Sequence, residues 1–331
     1  MCHRDGRQRS KKRVYDRAMR NLRLMVLLLA GTASCDGDGS GSTKMGPWRI
    51  FAAPATSNVT ALWAFAPNDV WAGGEAMLHF DGTAFTQVTT PATGVVNDFW
   101  GLAPNDLYAV TGADLLHWDG AAWSTIDFAD AIDPLELTAV WATSGADLWL
   151  GDSINGYVFH WDGTSWSTGI SQTSEVRDLW GVAGGPVFAG GVFGISQWDG
   201  AAWIDIHDAD FAREAAGVWG FGAGDVWAAS DFGTLARWDG TTWTDMLPAS
   251  NVDFNDSHNA IWGAAPDDVW AVGDLGGISH WDGSGWAQSM FGTLPFFPLL
   301  DKVHGSSAGD VWVAGRNSDA SNTGIILHHE P

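Results

Sequence analysis

Cysteine is nearly missing from the 331 residues, which carry only Cys2 and Cys35. That excludes a disulfide framework and any paired C-x-x-C metal or redox motif. Basic residues are scarce, with 16 Lys and Arg against 39 Asp and Glu. A chain so acidic lacks the cationic surface that nucleic acid requires. There is no long apolar run. Leu24 to Ala30 is too short to span a bilayer, which takes ~20 apolar residues. The sequence also contains no G-x-S-x-G, no H-E-x-x-H and no phosphate-binding loop.

What the chain has in excess is tryptophan, 22 residues of it, all at repeating positions. An opening aromatic recurs at Trp63, Trp100, Trp141, Trp180, Trp219 and Trp262, and His304 stands in a seventh copy. The spacings are 37, 41, 39, 39, 43 and 42 residues. An Asp-apolar-aromatic step follows in each copy, as in Asp268-Val269-Trp270, except for Pro186-Val187-Phe188 in the fourth. Then comes Trp-Asp-Gly, from Trp118 to Trp281, with Phe80-Asp81-Gly82 in the first copy, and a closing aromatic such as Trp286. Four short apolar runs per unit of about forty residues describe a β-propeller blade. The Asp-Gly step marks a hairpin. A two-residue turn there would pair Ser279 with Trp286 and set His280 across from Gly285. A three-residue bulged turn is the other register. The periodic rings are read as core that fills the gaps between fanning blades, with a ladder of sugar-stacking rings as the alternative.

The seventh copy stops at His329-Glu330-Pro331, where Trp-Asp-Gly and an outer strand should stand. Gly46-Pro47-Trp48-Arg49-Ile50-Phe51 matches the missing strand. The expected architecture is therefore all-β: a seven-bladed propeller of four-stranded blades over residues 46–331. A strand at about 46–52 completes the last blade and removes two free edges. Trp48 should take there the place Trp286 has in blade 6.

Residues 1–34 are different. They hold nine of the Lys and Arg and two of the acids, then the short apolar run and Gly31-Thr32-Ala33-Ser34-Cys35. A basic region, a brief apolar stretch and small residues read as a signal peptide, with Met19 as an alternative start. Thr32 to Cys35 resembles a bacterial lipobox, with Thr32 departing from the usual branched or leucine side chain. The resemblance implies a lipidated Cys35, and a free thiol is the alternative. Residues 35–45 have the composition of a flexible tether. Without residues 1–34 the formal charge is near −30, since seven basic residues remain against 37 acidic ones.

Irregular length collects in the loops that join each outer strand to the next inner strand and in those between the two middle strands. Both classes emerge on one face, which is the expected binding face. Two of these loops, 205–216 and 246–259, are rich in Asp and Asn. Asp208, Asp210, Asp253, Asn255 and Asp256 could supply oxygen ligands to Ca²⁺; solvated acidic loops are the alternative. His79, His117, His160, His280 and His328 recur at one repeat position, too far apart to share a metal. They are read as polar residues packed between blades. The repeated Asp residues of both the Asp-Gly and the Asp-Val-Trp steps are read as turn formers.

Trp262-Gly263, Asp268 to Gly273 and His280 to Trp286 carry a family resemblance. The chain resembles the bacterial secreted β-propeller proteins with W-G-x-x-x-x-D-V-W-A-V-G and H-W-D-G-x-x-W repeats, many of them lipoproteins. It is similar to kelch, BNR, WD-type and pilus-tip adhesin propellers in architecture only, and the Gly-His partner of the WD40 motif is missing. A sialidase-type site would need an arginine cluster and a tyrosine nucleophile. After residue 34 only five Arg remain, with Tyr108 and Tyr157, and Tyr108 is a repeat-core position. The expected function is a non-enzymatic, lipid-anchored binding or scaffold module of the cell envelope, without a catalytic residue. It would be monomeric, take a protein or glycan, and meet the membrane only through its anchor. The alternative is a carbohydrate-active hydrolase or lyase using loop carboxylates such as Asp208 and Asp253.

Overall fold

Seven antiparallel sheets form a ring in the computed structural model, which describes residues 42–128, 135–206, 214–230, 233–247, 257–290, 298–318 and 323–330. Blade 1 steps outward through Val59–Ala66, Asp69–Gly74, Met77–Phe80 and Phe85–Val88. Blades 2 to 6 repeat this order from the inner strands Val96–Ala103, Leu137–Ser144, Val176–Gly181, Ala215–Gly222 and His258–Ala265. Blade 7 starts at Leu299–Ser307 and continues through Asp310–Arg316 and Gly324–His329. The protein is thus a seven-bladed β-propeller, as the repeats require.

Closure follows the expected route. Trp48–Ala52 pairs antiparallel with Gly324–His329, setting Trp48 opposite His329 and Ala52 opposite Ile325. The fully buried Trp48 ring meets Trp270 of blade 6 edge-on at 6.0 Å and 83°. Trp286 meets Trp227 of blade 5 at 5.9 Å and 79°, so the two tryptophans hold equivalent places. Pairing also extends beyond the expected strand. Ser42–Met45, in the segment whose composition suits a tether, folds back on Trp48–Ala52 through Gly46, whose φ is +60°. Blade 7 therefore has five strands. The Glu330 amide donates to the Pro47 carbonyl at 2.6 Å, and Arg49 pairs with Glu330 at 2.8 Å.

Neither register foreseen at Asp-Gly is the one formed. Trp281 lies directly opposite Trp286, and His280 opposite Ala287. The turn has four residues because Asp282 organises it: its Oδ1 accepts the amides of Ser284 at 2.9 Å and Gly285 at 3.0 Å. Gly283 sits at φ +86°, where a side chain would be strained.

Packing between blades uses one clamp repeatedly. The second-strand indole of a blade lies against the third-strand and outer-strand aromatics of the next. Trp71 contacts Trp118 and Trp123, Trp149 contacts Trp198 and Trp203, and Trp227 contacts Trp281 and Trp286, with centroids 5.1–6.1 Å apart. Burying a ring of ~150–250 Å² is worth at most about 4–6 kcal/mol.

The second-strand aspartates are not turn formers. Asp69, Asp106, Asp147, Asp268 and Asp310 open their strands and accept a hydrogen bond from Nε2–H of the repeated histidine, at 2.6–2.8 Å. Each imidazole lies over the second-strand aromatic, closest in Trp149–His160 and Trp312–His328, both at 3.9 Å. The histidines thus pair across two strands of one blade. Blade 5 substitutes Arg237, which grips Asp225 with two bonds of 2.7 and 2.9 Å and lies over Trp227. Blade 4 has lost both partners together, with Pro186 and Gln197 at the two positions. A lone carboxylate or a lone imidazole there would lack its counterpart.

Candidate functional site

The inner strands present one aromatic each to the ring centre. Trp63, Trp141, Trp180, Trp262 and His304 are buried, while Trp100 and Trp219 are half-buried. Trp100 and Trp219, from blades 2 and 5, meet across the centre with centroids 6.1 Å apart. Each is anchored by its indole N–H, which donates to Ala142 O at 2.7 Å and to Gly263 O at 3.0 Å, both in the following blade. His304 stacks on Trp63 at 4.0 Å and accepts the Ala64 amide on Nδ1. Burial holds its pKa down to about 3, so the ring is neutral. Together these rings close the central channel like an iris.

On one side of the iris the channel is narrow, with about 50 Å³ of space beside Asp98, Asp178 and Lys302. Lys302 Nζ donates to Asp98 Oδ1 at 3.1 Å. Asp98 also accepts the Val140 amide, and Asp178 accepts the amides of Leu179 and Val218. Each aspartate therefore ties its blade to the next. Burial pushes the Asp178 carboxyl up to about 7, against the pull of Lys302. Burial lowers the Lys302 pKa, but Asp98 and Asp178 outweigh it, and the net shift is upward. Thr60, Asn97, Thr138 and Asn259 add further bonds to the next blade's inner-strand carbonyls, at 2.5–3.0 Å. The cluster is a set of staples whose carboxylate oxygens are already occupied.

On the other side the channel widens into a cup of about 840 Å³. The iris is its floor. Its wall is the carboxyl ends of the inner strands and the turns after them, built from small residues such as Gly101, Ala183, Ala264 and Ala308. His304 is the one titratable residue of the lining. Two lining hydroxyls are committed elsewhere: Thr143 donates to Asp147 and Ser306 to Asp310. The Asp-Gly turns emerge on this same face. Gly82, Gly120 and Gly283 abut Asn68, Asn105 and Asp267 of the first turn in their own blades. Asp81, Asp119, Asp162, Asp199, Asp239 and Asp282 therefore circle the cup. All six lie below the usual carboxylate range, because backbone amides or neighbouring hydroxyls donate to them.

This cup lies on the face opposite the one that loop length singled out. Much of the irregular loop face lies outside the described residues. So do Asp208, Asp210, Asp253, Asn255 and Asp256, and Cys35 as well. Among the described residues no group of three or more His, Cys, Asp or Glu could hold a metal, and no helix is long and apolar enough to cross a membrane. The repeat tryptophans do converge, and the six on the inner strands also line the cup. The channel cluster escaped the sequence reading although a signal was present. Two residues before the repeat aromatic, Ala61, Ala139, Gly217 and Ala260 are small, whereas Asp98, Asp178 and Lys302 break the rule.

No protein-family model matches the chain, and no curated protein does. Solved structures do. YCF48 bound to a D1 peptide is similar with a TM-score of 0.68 at 19% identity, over 88% of this chain and 99% of that one. Streptogramin B lyase is similar with a TM-score of 0.69 at 10% identity, over 85% and 96%. The extracellular domain of a putative hybrid two-component system of B. thetaiotaomicron gives 0.66 at 14% identity, over 85% of this chain and 42% of that one. At these identities the likeness is one of fold.

Proposed function

We propose that the protein is a non-enzymatic binding module that receives a segment of a partner protein in the central cup of the turn face. The observation that carries this reading is the make-up of the cup: about 840 Å³ of concave space over the half-buried Trp100 and Trp219. Pockets of ~300–1,000 Å³ are the usual size for recognition. General acid–base or nucleophilic chemistry needs positioned groups that carry protons or charge, and the cup offers only a neutral imidazole. A glycan would ask for many hydrogen-bonding partners, whereas of the three lining hydroxyls, Thr143, Ser306 and Ser307, the first two are committed to carboxylates. A peptide can instead use the aromatic floor and its own backbone. The propeller solved with a D1 peptide bound is compatible with such a role.

Export and lipidation at Cys35 complete the proposal, on the strength of the basic and apolar leader before it. Changing Cys35→Ala should move the protein from the membrane to the soluble fraction. A wild-type chain that is soluble with a titratable thiol refutes the anchor.

Calorimetric titration of the full chain against a peptide library and an oligosaccharide set tests the binding reading. Ala308→Trp fills the cup from an exposed turn and leaves the blades intact. Peptide binding that Ala308→Trp abolishes is the expected result. Oligosaccharide binding in the cup, or no binding from either set, overturns it.

A further inference from the structure

The surroundings of the cup say what kind of segment it takes. The floor is made of mutually tilted indoles, a ring type whose quadrupole attracts cations. Around it stand six exposed aspartates, one per blade in blades 1 to 6, each fixed by hydrogen bonds within its own turn. They belong to the hairpins two strands outside the inner wall, about 10 Å away at ~4.8 Å per strand. That is just beyond the ~8 Å screening length at physiological salt and well inside the ~30 Å at 0.01 M, so their field reaches the cup at low salt and is largely screened at physiological salt.

Positive charge is placed differently. Among the described side chains only Arg49 and Arg237 stand at this end of the blades, and each is spent on an acid, Glu330 and Asp225. Lys302, Arg177 and Arg316 lie towards the opposite face, at the starts of inner strands or the end of a second strand. Among the described side chains the turn face is therefore an aromatic, uncharged cup within an anionic ring whose two arginines are each paired with an acid.

Resting on the reading that the cup receives a protein segment, we infer that the segment is basic, with an arginine or lysine side chain laid over Trp100 and Trp219. An aliphatic segment would gain the same apolar contact but nothing from the ring. An acidic one would be repelled. A cation gains from both, and the rigid anchoring of the two indoles through Ala142 and Gly263 means the floor need not rearrange to receive it.

The test uses the full chain and three capped peptides that differ only in the repeated residue: Gly-Ser-Arg, Gly-Ser-norleucine and Gly-Ser-Glu repeats. Binding is read by calorimetry at low and at physiological salt. The arginine peptide should bind about tenfold or more tightly than the norleucine peptide, should weaken as salt rises, and should lose binding in Ala308→Trp. Asp→Asn changes at the six turn aspartates remove charge, while the amide oxygen can still accept the turn's backbone bonds. That variant should still melt cooperatively, at a lower temperature because the turn amides lose a charged acceptor, and bind the arginine peptide several-fold more weakly at low salt. Equal binding of the norleucine peptide in the cup refutes the basic partner and leaves the protein-segment reading standing. Arginine-peptide binding that survives Ala308→Trp refutes the cup as its seat. No binding by any of the three peptides overturns the basic partner, and the broader peptide library then decides the parent reading separately.

Discussion

Trp48 tests whether the ring is closed by its N-terminal strand. The side chain is fully buried, meets Trp270 edge-on at 6.0 Å and lies 5.0 Å from His329. Cutting it to alanine removes the contact between blades 6 and 7 on the strand that locks the circle. A Trp→Ala change in a core costs ~3–5 kcal/mol. With an unfolding entropy of about 2.1 cal/mol/K per residue over roughly 285 residues, that is a fall in Tm of roughly 5–8 °C. Trp48→Phe should be much milder. The Trp48 indole N–H is buried with no hydrogen-bond partner among the described residues, so losing it forfeits no bond and relieves a desolvated donor. Phe85, the outer-strand aromatic of blade 1, already packs on Trp312 of blade 7 at 6.0 Å and 83°. The expected order of Tm is wild type, then Trp48→Phe within about 2 °C, then Trp48→Ala well below, level with Trp286→Ala in blade 6. Differential scanning calorimetry measures all four. If Trp48→Ala melts within a degree or so of wild type while Trp286→Ala falls, the N-terminal strand does not lock the ring.

The channel cluster makes a pH prediction. The folded Asp178 carboxyl, pushed up to about 7, holds its proton more tightly than in the unfolded chain. Its contribution to stability is thus greatest below about pH 4 and is lost as pH rises towards 7. His258 and His304, with pKa values lowered to about 4 and about 3 by burial, act in the opposite sense below pH 6.5. The readout is therefore the difference between wild type and Asp178→Asn, which should grow in favour of Asn from pH 4 to 7 and then level off; a constant difference refutes it. Asp310 accepts from His328, Ser306 and Trp312, so Asp310→Ala should cost about 3 kcal/mol in urea unfolding by leaving three donors unpaired. Burial works to raise its pKa, and those bonds more than offset it to leave the pKa lowered. Asp310 should therefore stabilise above about pH 4 and fail as pH falls further. A loss below 1 kcal/mol would show that the cross-strand pair is dispensable. The calcium reading of Asp208, Asp210, Asp253, Asn255 and Asp256 predicts a Tm in millimolar Ca²⁺ above that in EDTA, removed by Asp253→Ala; an unmoved Tm ends it.

The repeats themselves were legible in the chain because a blade is a local object. Its four strands are consecutive, their turns carry Gly, Asp and Pro, and a large aromatic is needed wherever blades fan apart. Even closure could be read, since an incomplete last repeat and a matching strand at residue 48 leave few other pairings. Local chemistry that crosses strands was harder. The Asp-Val-Trp aspartates look like turn residues until the histidine ten to eighteen positions later is seen to fold back on them. The four-residue turn at Asp282 likewise depends on a side chain, not on the dipeptide alone.

What sequence determined by itself was the number of blades, the identity of the repeated core and the strand that completes the ring, because these follow from periodicity and unpaired edges. Which face is concave was decided only by tertiary structure. Loop length pointed to one side of the disc. The cup lies on the other because inner strands from all seven blades end there in small residues, and because Trp100 and Trp219 meet across the axis. Those two residues are 119 positions apart in the chain and share no local signal. Six turn aspartates that are separate in sequence become one ring of charge for the same reason: rotation about a common axis brings equivalent positions to one end.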